Sequence, residues 1–481
     1  MARHSNFIAG KWVSSANGDY YETRNPAHPK EVLGEYSRSG ESDVHAAVMA
    51  ATKAFPAWRR VPGPQRGALL FRFAQLLDGA KEQLGRIITL EQGKAIGEAI
   101  GEVGRASTEA RYIAGEASRT LGNTFPSERP GILCYTVLEP LGVVAAISPW
   151  NFPVVAPVRK IAPALACGNT VVLKPASLTP GCAVFLVELL EKAGFAPGVV
   201  NLVIGAGNIA GAALVNHPAV RGISFTGSTA VGIPIYESAA RRMAKVQLEL
   251  GGKNPAVVLD CDDLEGAARE IIAAAFLCSG QRCTALSRVI VADGQADALL
   301  EHLVRLVKQI KVGDGLKETA NMGPLVSKGQ LEIVDGYVKR GIEFGAVVLT
   351  GGQRLVEDPD DQGYFYAPTI LDKVKPDSPV AREEIFGPVL PVLRVRNAQE
   401  AIAIANDTPY GLAASLFTSR LSIISEFVEE VETGMVHVNH GTASQAHVPF
   451  GGVKDSGQGA YSIGPTVKDF FTSVKSVYVK W

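Results

Sequence analysis

Val143-Val144-Ala145-Ala146-Ile147 is the first of a series of short apolar runs, each followed by a stretch of helical character. The later runs are Thr170-Val171-Val172-Leu173-Lys174, Val199-Val200-Asn201-Leu202-Val203 and Gly222-Ile223-Ser224-Phe225. Continuous apolar strands that alternate with helices are typical of βαβ units, whose parallel sheet is covered on both faces. The segment from 143 to 225 therefore predicts a buried parallel sheet.

The same alternation returns in a second region, from Ala256 to about Gly452. This region predicts helices near 264–277 and 295–310, strands near 287–292 and 346–349, and a turn at Gly351-Gly352. The chain is thus expected to hold two α/β units.

The segments outside these units have other patterns. Residues 1–40 alternate strand-like runs with turn signals, whereas helices are predicted from Ser42 to Ala54 and from Pro64 to about Gly122. Residues 131–139 alternate polar and apolar side chains, which predicts an edge strand or a protruding ribbon. The C-terminal stretch 470–481 alternates valines and predicts a final strand.

The composition is that of an ordinary globular chain. Of 481 residues, 47% are hydrophobic and 20% charged, and the formal net charge is −1, so there is no electrostatic footprint for nucleic acid or an anionic membrane. The six cysteines lack the spacing of a disulfide framework. No signal-peptide run precedes Ser15, and no apolar stretch reaches the roughly 20 residues of a membrane span. We therefore expect a cytoplasmic protein without nucleic-acid or membrane partners.

One cysteine stands in surroundings that suit a reactive thiol. Cys283 follows an apolar helical segment, 267–277, and lies close to Gly280 and next to Arg282. A thiol attacks only as the thiolate, so a nucleophilic cysteine needs a polar, electropositive and partly open setting. The alternative for a cysteine considered alone is a buried structural role.

Other short strings accompany this cysteine and decide between the two interpretations. They are Pro149-Trp150-Asn151-Phe152-Pro153, Phe225-Thr226-Gly227-Ser228, Leu248-Glu249-Leu250-Gly251-Gly252-Lys253, Glu383-Glu384-Ile385-Phe386-Gly387-Pro388 and Pro449-Phe450-Gly451-Gly452. Together these strings resemble the aldehyde dehydrogenase superfamily over nearly the whole chain. They look closest to its succinate-semialdehyde and α-ketoglutaric-semialdehyde dehydrogenase group.

The resemblance implies an α/β fold with a doubly wound dinucleotide-binding domain, an α/β catalytic domain and a small β-ribbon used for oligomerisation. On this division, residues 1–122 and 141–252 form the dinucleotide-binding domain and residues 253–454 the catalytic domain. Residues 123–140 and 455–481 form the ribbon and the C-terminal strand. A homodimer or homotetramer is expected.

The resemblance also implies the chemistry. The Cys283 thiolate attacks the aldehyde carbon, while the Asn151 side-chain amide and the Cys283 N–H hold the oxyanion. Hydride transfer to the nicotinamide leaves a thioester, and Glu249 acts as general base for the water that hydrolyses it. Lys174 is counted with these catalytic residues and also with the cofactor-binding ones, since the family's lysine at this position bonds the adenine ribose.

The implied cofactor is NAD or NADP, with its pyrophosphate near the helix that Phe225-Thr226-Gly227-Ser228 opens. The predicted cofactor-binding residues are Ile147, Trp150, Lys174, Ser177, Gly207, Gly211, Phe225, Gly227, Ser228, Val231, Leu250, Gly251, Glu384 and Phe386. Glu384 and Phe386 match the residues that hold the nicotinamide ribose and flank the nicotinamide ring. Ser177 stands where a glutamate in other members repels the 2′-phosphate, so NADP use is expected.

Three other patterns are less specific. Gly205-Ala206-Gly207 with Gly211 has the spacing G-x-G-x-x-x-G rather than G-x-G-x-x-G, so phosphate contact and a tight βα turn both remain open. His437, His440 and His447 fit no common zinc spacing, and no metal is expected. Cys278 and Cys283 form no CxxC motif, although a disulfide between them stays an alternative.

The predicted substrate residues are Arg159, Phe152, Arg282 and Phe450. Arg159 matches an arginine with which succinate-semialdehyde dehydrogenases bind the distal carboxylate, whereas a second arginine of that group is replaced by Leu277. We therefore expect a carboxylate-bearing semialdehyde as substrate. The alternatives are a broad-specificity aldehyde dehydrogenase, a coenzyme A-acylating enzyme that does not depend on Glu249, and a non-enzymatic structural role.

Overall fold

The computed structural model describes residues 2–356 and 362–481 of the chain. Short strands come first: β1 (Arg3–His4), β2 (Asn6–Ile8), β3 (Lys11–Val13), β4 (Tyr20–Arg24) and β5 (Val32–Ser37). Helices follow: α1 (Glu41–Trp58), α2 (Gly63–Gly79), α3 (Lys81–Gln92) and α4 (Ile96–Glu116). The predicted strands and helices of this region are confirmed. The first helix begins one residue early, because Gly40 is its N-cap and donates its N–H to Asp43 in the first turn, at 3.0 Å.

The ribbon strands β6 (Thr124–Phe125) and β7 (Ile132–Pro140) lead into the first α/β unit. Its elements are β8 (Val143–Ile147), α5 (Val155–Ala166), β9 (Thr170–Lys174), α6 (Pro180–Ala193), β10 (Val200–Leu202), α7 (Ala212–Asn216), β11 (Val220–Thr226), α8 (Thr229–Ala240) and β12 (Lys245–Glu249). A π-helical turn, Gly207–Gly211, precedes α7.

The second unit contains β13 (Asn254–Val258), α9 (Leu264–Phe276), β14 (Leu286–Ala292), α10 (Asp293–Val307), α11 (Lys328–Glu343), β15 (Val347–Thr350), β16 (Arg354–Leu355), β17 (Phe365–Tyr366), β18 (Thr369–Asp372), α12 (Pro379–Arg382), β19 (Val389–Val395), α13 (Ala398–Asn406), β20 (Tyr410–Gly411), β21 (Ala413–Phe417), α14 (Leu421–Glu430) and β22 (Met435–Val438). The chain ends with β23 (Val453–Lys454), β24 (Gly457–Gln458), α15 (Lys468–Phe471) and β25 (Thr472–Lys480).

The first sheet has the strand order β24-β12-β11-β8-β9-β10-β2-β3, and β8 to β12 run parallel. Side chains of β8 alternate between two cores, with Val144 and Ala146 facing one and Val143, Ala145 and Ile147 the other. Both faces are thus covered by helices, which is why the strand is a continuous apolar run. The order reverses between β8 and β11, and ligands bind at such a switch point of an open α/β sheet.

The second sheet has the order β15-β18-β19-β14-β13-β21-β22, in which β15 alone among its described strands pairs antiparallel. Helices α9 and α10 pack on one face and α13 and α14 on the other. Strand β12 ends at Glu249 and β13 begins at Asn254, so the two sheets meet beside Glu249. The predicted α/β fold with two units is confirmed.

The ribbon is a separate sheet of order β25-β7-β6, in which β7 pairs with β25 from Ile132 to Pro140. The division into domains stays a prediction, but the packing differs from it in one detail. Strand β24 pairs with β12 of the first sheet, and Phe470 and Phe471 lie in the core beneath that sheet. The sequence assigns all residues from 455 onward to the ribbon and the C-terminal strand. In the structure, the part before β25 packs with the first unit, because its aromatic side chains are buried in the core of that unit.

Candidate active site

Cys283 lies just after a tight turn at the end of α9. Three successive residues of this turn have left-handed backbone, with φ of 55° at Cys278, 55° at Ser279 and 70° at Gly280. A Cβ at position 280 would lie 2.3 Å from the main-chain oxygen of Gly387, so only glycine fits. Left-handed conformations of other residues cost energy and concentrate at functional sites. The turn presents Cys283 at partial exposure.

Buried amides fasten this loop. Asn254 donates from Nδ2 to the main-chain oxygens of Cys283, at 2.7 Å, and Ala285, at 2.8 Å. The fully buried Gln281 accepts the N–H of Val326 at 2.9 Å. The sequence patterns did not predict Asn254 or Gln281, although both lie beside the strings that carry the resemblance.

A cavity of about 580 Å³ opens in front of Cys283. The predicted site residues that line it are Trp150, Asn151, Phe152, Arg159, Gly227, Ser228, Glu249, Leu250, Gly251, Arg282, Cys283, Glu384, Phe386 and Phe450. The cavity lies between the two α/β units, because its walls come from α4, the loop after β8, α5 and the end of β12 on one side and from the loops after α9 and α12 on the other. The structure thus brings the predicted nucleophile, base and oxyanion amide to one cavity, although they are up to 132 positions apart in the chain (283 − 151).

Asn151 is buried and held in one orientation. Its Nδ2 donates to the main-chain oxygen of Gln281 at 2.9 Å, and its Oδ1 accepts the N–H of Phe152 at 3.1 Å. An amide nitrogen carries two N–H groups, so one remains for a substrate oxygen in the cavity.

Glu249 is the last residue of β12 and is buried, with Oε2 lacking a hydrogen-bond partner among the described residues. Burial raises the pKa of this carboxyl well above its ordinary value, while the positive charges of Lys160 and Arg159 oppose the shift. A buried carboxylate oxygen without a partner is costly unless water or a ligand satisfies it. Its place in the cavity wall suits a base that accepts a proton from water.

Burial raises the pKa of the Cys283 thiol to about 11, and the negative charge of Glu249 adds to this, whereas Arg159 and Arg282 lower it. Only the thiolate attacks, so the thiol has to lose its proton before it reacts with the aldehyde.

Arg159 lines the cavity, but its guanidinium already has a protein partner. Nε and Nη2 donate to the two carboxylate oxygens of Glu109 at 2.8 and 2.7 Å, and the guanidinium stacks over the ring of Phe450 at 4.6 Å. Nη2 also reaches the hydroxyl of Ser444 at 3.5 Å. Glu109 lies on α4, 50 positions upstream, and no sequence pattern connected it with the site.

Comparison with known proteins covers the same residues. The model of the aldehyde dehydrogenase family matches residues 12–477. The chain belongs to the aldehyde dehydrogenase family. An α-ketoglutaric semialdehyde dehydrogenase of Bacillus subtilis (strain 168) is 43% identical over 476 residues, which are 99% of this chain and 98% of the relative.

Further relatives agree. An NADP(+) succinate-semialdehyde dehydrogenase of Escherichia coli (strain K12) is 38% identical over 98% of this chain and 96% of its own length. The crystal structure of an NAD-dependent aldehyde dehydrogenase from Sinorhizobium meliloti superposes with a TM-score of 0.96, at 38% identity, and covers 100% of this chain and 95% of that one. The aldehyde dehydrogenase fold is thereby shown, and the chain is an NAD(P)-dependent aldehyde dehydrogenase.

The nicotinamide end of a dinucleotide fits this aldehyde dehydrogenase beside Cys283. Glu384 accepts the N–H of Gly252 at 3.0 Å, and a Cβ at Gly251 would lie 2.5 Å from the Glu384 carboxylate, so the glycine permits this approach. The ring of Phe386 meets Trp150 edge-on at 5.4 Å. These groups form one wall of the cavity, with a carboxylate suited to ribose hydroxyls and an aromatic face suited to a ring.

The adenosine end fits at the carboxyl edge of the first sheet, outside the cavity lining. Lys174 ends β9 and donates from Nζ only to the main-chain oxygen of Pro175 among the described residues, at 2.8 Å, and burial lowers its pKa to about 8. The Cβ of a residue at Gly211 would contact the Lys174 side chain at 3.6 Å. Ser177 donates to the main-chain oxygen of Gly205 at 3.2 Å. The weak glycine pattern, including Gly207, thus lies in the π-turn beside the lysine.

The start of α8 is the place predicted for the pyrophosphate. Ser228 is its exposed N-cap, and Val231 is half exposed one turn later. The side chains of Ile147 and Phe225, which are also predicted to bind the cofactor, are buried in the core of the first unit. A Cβ at Gly227 would lie 2.5 Å from the Phe225 ring. Only the backbone atoms of Ile147 and Phe225 could therefore contact a cofactor, because both faces of this sheet are covered by core side chains.

Three features are absent from the part of the chain that the structure describes. No group of three or more His, Cys, Asp and Glu side chains is arranged to hold a metal ion. All six cysteines are free thiols, including Cys278 and Cys283. No helix of residues 2–356 and 362–481 has the length and apolar character to cross a bilayer.

Proposed function

We propose that this aldehyde dehydrogenase oxidises an aldehyde with a carboxylate at its far end to the corresponding dicarboxylic acid. The observation that carries the proposal is a guanidinium with no acidic partner in the substrate cavity. Arg282 donates to the hydroxyl of Thr284 at 3.3 Å and to the main-chain oxygen of Thr442 at 3.2 Å, and no carboxylate of the described residues lies within ion-pair distance of it. The names of the Bacillus and Escherichia relatives, which act on semialdehydes, support the same substrate class.

Arg159 adds the geometry of recognition. A guanidinium pairs with a carboxylate through two parallel hydrogen bonds, and such pairs strengthen away from water. The Arg159 side chain is 12% exposed, and its guanidinium lies over the ring of Phe450, which shields it from water on that side. A substrate carboxylate would share this guanidinium with Glu109.

The first half of the reaction depends on residues that converge on the aldehyde. Cys283 Sγ gives its proton to solvent water and forms a bond to the carbonyl carbon, giving a thiohemiacetal, while Glu249 serves the water of the second half. The developing oxyanion accepts hydrogen bonds from the Asn151 amide and the Cys283 N–H, donors that are already oriented before the reaction. When bound, the nicotinamide would supply the acceptor for a hydride from the substrate carbon. Trp150, Glu384 and Phe386 would hold the nicotinamide in the cavity.

The second half is hydrolysis. The thioester on Cys283 is attacked by water whose proton Glu249 accepts, and the acid leaves as the thiol is restored. In sum, one aldehyde, one NAD(P)⁺ and one water give one carboxylic acid, one NAD(P)H and one proton. The unpartnered oxygen of Glu249 in the cavity wall favours this hydrolytic course over transfer to coenzyme A.

We infer that NADP is used as well as NAD. Ser177 places a hydroxyl, not a carboxylate, near Lys174, whose ammonium has no acidic partner among the described residues. A 2′-phosphate would find attraction there rather than repulsion.

We also infer a homodimer or homotetramer built through the ribbon. Strand β25 has only β7 as neighbour among the described strands, so its outer edge is open, and Val474 and Tyr478 on it are 68% and 74% exposed. A long edge strand with exposed apolar side chains is a site for pairing with another chain. Light scattering on the purified protein tests the state, and the cytoplasmic location stays a prediction.

The experiment that tests the substrate class compares aldehydes matched in length. Succinic and glutaric semialdehydes are assayed beside butanal and pentanal, with NAD and with NADP, by the absorbance of the reduced cofactor. We expect kcat/KM to be at least about tenfold higher for the charged member of each pair, because a modest hydrogen bond to a charged group typically contributes a factor of that size. Equal values within the pairs would contradict the carboxylate assignment and favour a broad-specificity aldehyde dehydrogenase.

A further inference from the structure

Helix α4 presents one face to the substrate cavity. Glu98, Gly101, Glu102 and Arg105 line it, three or four residues apart as one side of a helix requires. A Cβ built at Gly101 meets no atom within 4 Å, so this turn of the helix borders open space. Arg105 is therefore a cationic side chain beside an unfilled part of the cavity.

Arg105 is only partly used by the protein. Its Nε donates to Glu109 Oε1 at 3.0 Å, while its two terminal nitrogens make no hydrogen bond with the described residues. The Arg105 side chain is 36% exposed, whereas its partner Glu109 is 3% exposed. The terminal nitrogens are thus donors without acceptors at the wall of a binding cavity.

The charges around Glu109 do not balance. The carboxylate of Glu109 takes hydrogen bonds from both Arg105 and Arg159, and these cations lower its pKa against the effect of burial. One negative charge therefore faces two positive ones. Glu102 is occupied by Lys94, at 2.7 Å, and burial raises the pKa of Glu98 to about 7, so neither supplies a full second negative charge. An anion that reaches this end of the cavity would complete the set.

Arg105 lies nearer to solvent than Arg159 does. Its side chain is 36% exposed, whereas that of Arg159 is 12% exposed, and both line the cavity that holds Cys283. A carboxylate that reaches the outer guanidinium of Arg105 therefore belongs to a longer substrate than one held by Arg159 alone.

We propose that Arg105 is a specificity-determining residue that binds the distal carboxylate together with Arg159 and favours five-carbon over four-carbon semialdehydes. Glu109 holds both guanidinium groups in place and, when no substrate is bound, satisfies them in part. The apolar Leu277, which is 41% exposed in the wall of the same cavity, offers apolar surface to the methylene groups of the longer chain. The inference rests on the proposed function and adds to it the length of the substrate.

The test is Arg105→Ala, with Arg105→Lys to keep the charge and lose the planar fork. The control is Arg111→Ala, since Arg111 lies on the same helix, pairs with Asp78 and is outside the cavity lining. For Arg105→Ala we expect kcat/KM to fall about tenfold on glutaric semialdehyde and two- to threefold on succinic semialdehyde, mainly through KM, with pentanal unchanged. Arg105→Lys should lie between, and Arg111→Ala should match the unmodified protein.

Other results would overturn the inference. An equal loss on pentanal would make Arg105 a support of the fold, no loss on any aldehyde would leave it without a role, and equal losses on the two semialdehydes would remove the length preference.

A second measurement separates this inference from the proposed function. Glutarate, which has no aldehyde, is used as a competitive inhibitor of pentanal oxidation. Its inhibition constant should rise about tenfold in Arg105→Ala, and an unchanged constant would overturn the carboxylate contact. If the unmodified protein does not prefer charged aldehydes, the proposed function fails, whereas the glutarate result still decides on Arg105.

Discussion

Lys94 donates a hydrogen bond from Nζ to the main-chain oxygen of Asn151, at 2.7 Å. The same Nζ pairs with Glu102 Oε2 at 2.7 Å, and both side chains are 1% exposed. The other oxygen of Glu102 accepts the N–H groups of Val154 and Val155, at 2.9 and 3.1 Å, where α5 begins. This buried ion pair therefore connects α4 to the segment that carries the oxyanion amide.

Replacement of this lysine should cost both stability and catalysis. Lys94→Met removes one partner of a buried ion pair and leaves Glu102 without its cation, which typically lowers the free energy of unfolding by about 3–5 kcal/mol. Chemical unfolding measures this change. In steady-state kinetics we expect kcat to fall while KM changes less, because the main-chain oxygen of Asn151 loses its hydrogen bond from Lys94. Lys81→Met, which removes a surface pair with Asp78, is the control, and an equal effect of the two variants would contradict the prediction.

Cys283→Ala should abolish aldehyde oxidation while NADP binding, followed by thermal shift, is kept. Cys283 is partly exposed in the cavity that Glu249 and Asn151 also line, whereas Cys278, the other cysteine in the cavity wall, is 2% exposed. Cys261→Ala, outside the cavity, should retain activity. Turnover of even a tenth of the original rate in Cys283→Ala would assign the nucleophile elsewhere.

Glu249→Gln should stop the reaction after hydride transfer. Rapid mixing is expected to show a burst of reduced cofactor followed by very slow turnover, because water no longer finds its base. A steady rate near that of the unmodified protein would remove the assignment, and turnover restored only by coenzyme A would favour the acylating class.

The pH profile follows from the same carboxyl. Glu249 acts as a base only when deprotonated, and burial raises its pKa. The steady-state rate should therefore fall as the pH is lowered through this raised value, earlier than an ordinary carboxyl with a pKa of about 4.3 would cause. The acidic limb should be absent in the residual turnover of Glu249→Gln, and an identical limb in both proteins would point to another group.

Arg159→Ala should weaken charged substrates selectively. Loss of a charged hydrogen bond typically costs about 1.5–3 kcal/mol, or roughly ten- to a hundredfold in kcat/KM. The loss should be seen with succinic and glutaric semialdehydes and not with butanal. Equal losses on all three would mean that the Arg159–Glu109 pair supports the fold and not the substrate.

Ser177→Glu should shift the cofactor preference toward NAD. A carboxylate at this position would repel the 2′-phosphate and compete for Lys174, so the NADP/NAD ratio of kcat/KM should fall by about tenfold, or 1.4 kcal/mol. Ser177→Ala, which removes only the hydroxyl bond to Gly205, is the matched control. An unchanged ratio in Ser177→Glu would show that the position does not contact the phosphate.

Much of this protein could be predicted from local sequence. The strands of the first sheet are apolar along their whole length because both faces are covered, so Val143–Ile147 and Thr170–Lys174 are recognisable without any knowledge of their neighbours. Cys283, Glu249 and Asn151 were predicted because their short strings resemble those of the aldehyde dehydrogenase superfamily. Near Cys283, the left-handed backbone of Gly280 shows one local requirement that such a string encodes.

The tertiary structure decided what depends on distant partners. Glu109 pairs with Arg159 across 50 positions, and Asn254 holds the oxygen of Cys283 across 29, contacts that no local pattern encodes. The raised pKa values of Glu249 and Cys283 have the same origin, because burial is the sum of packing by segments from the whole chain. Residue types and local turns were therefore determined by the sequence itself. The charge balance of the cavity, and with it the substrate it accepts, depends on which helices meet there.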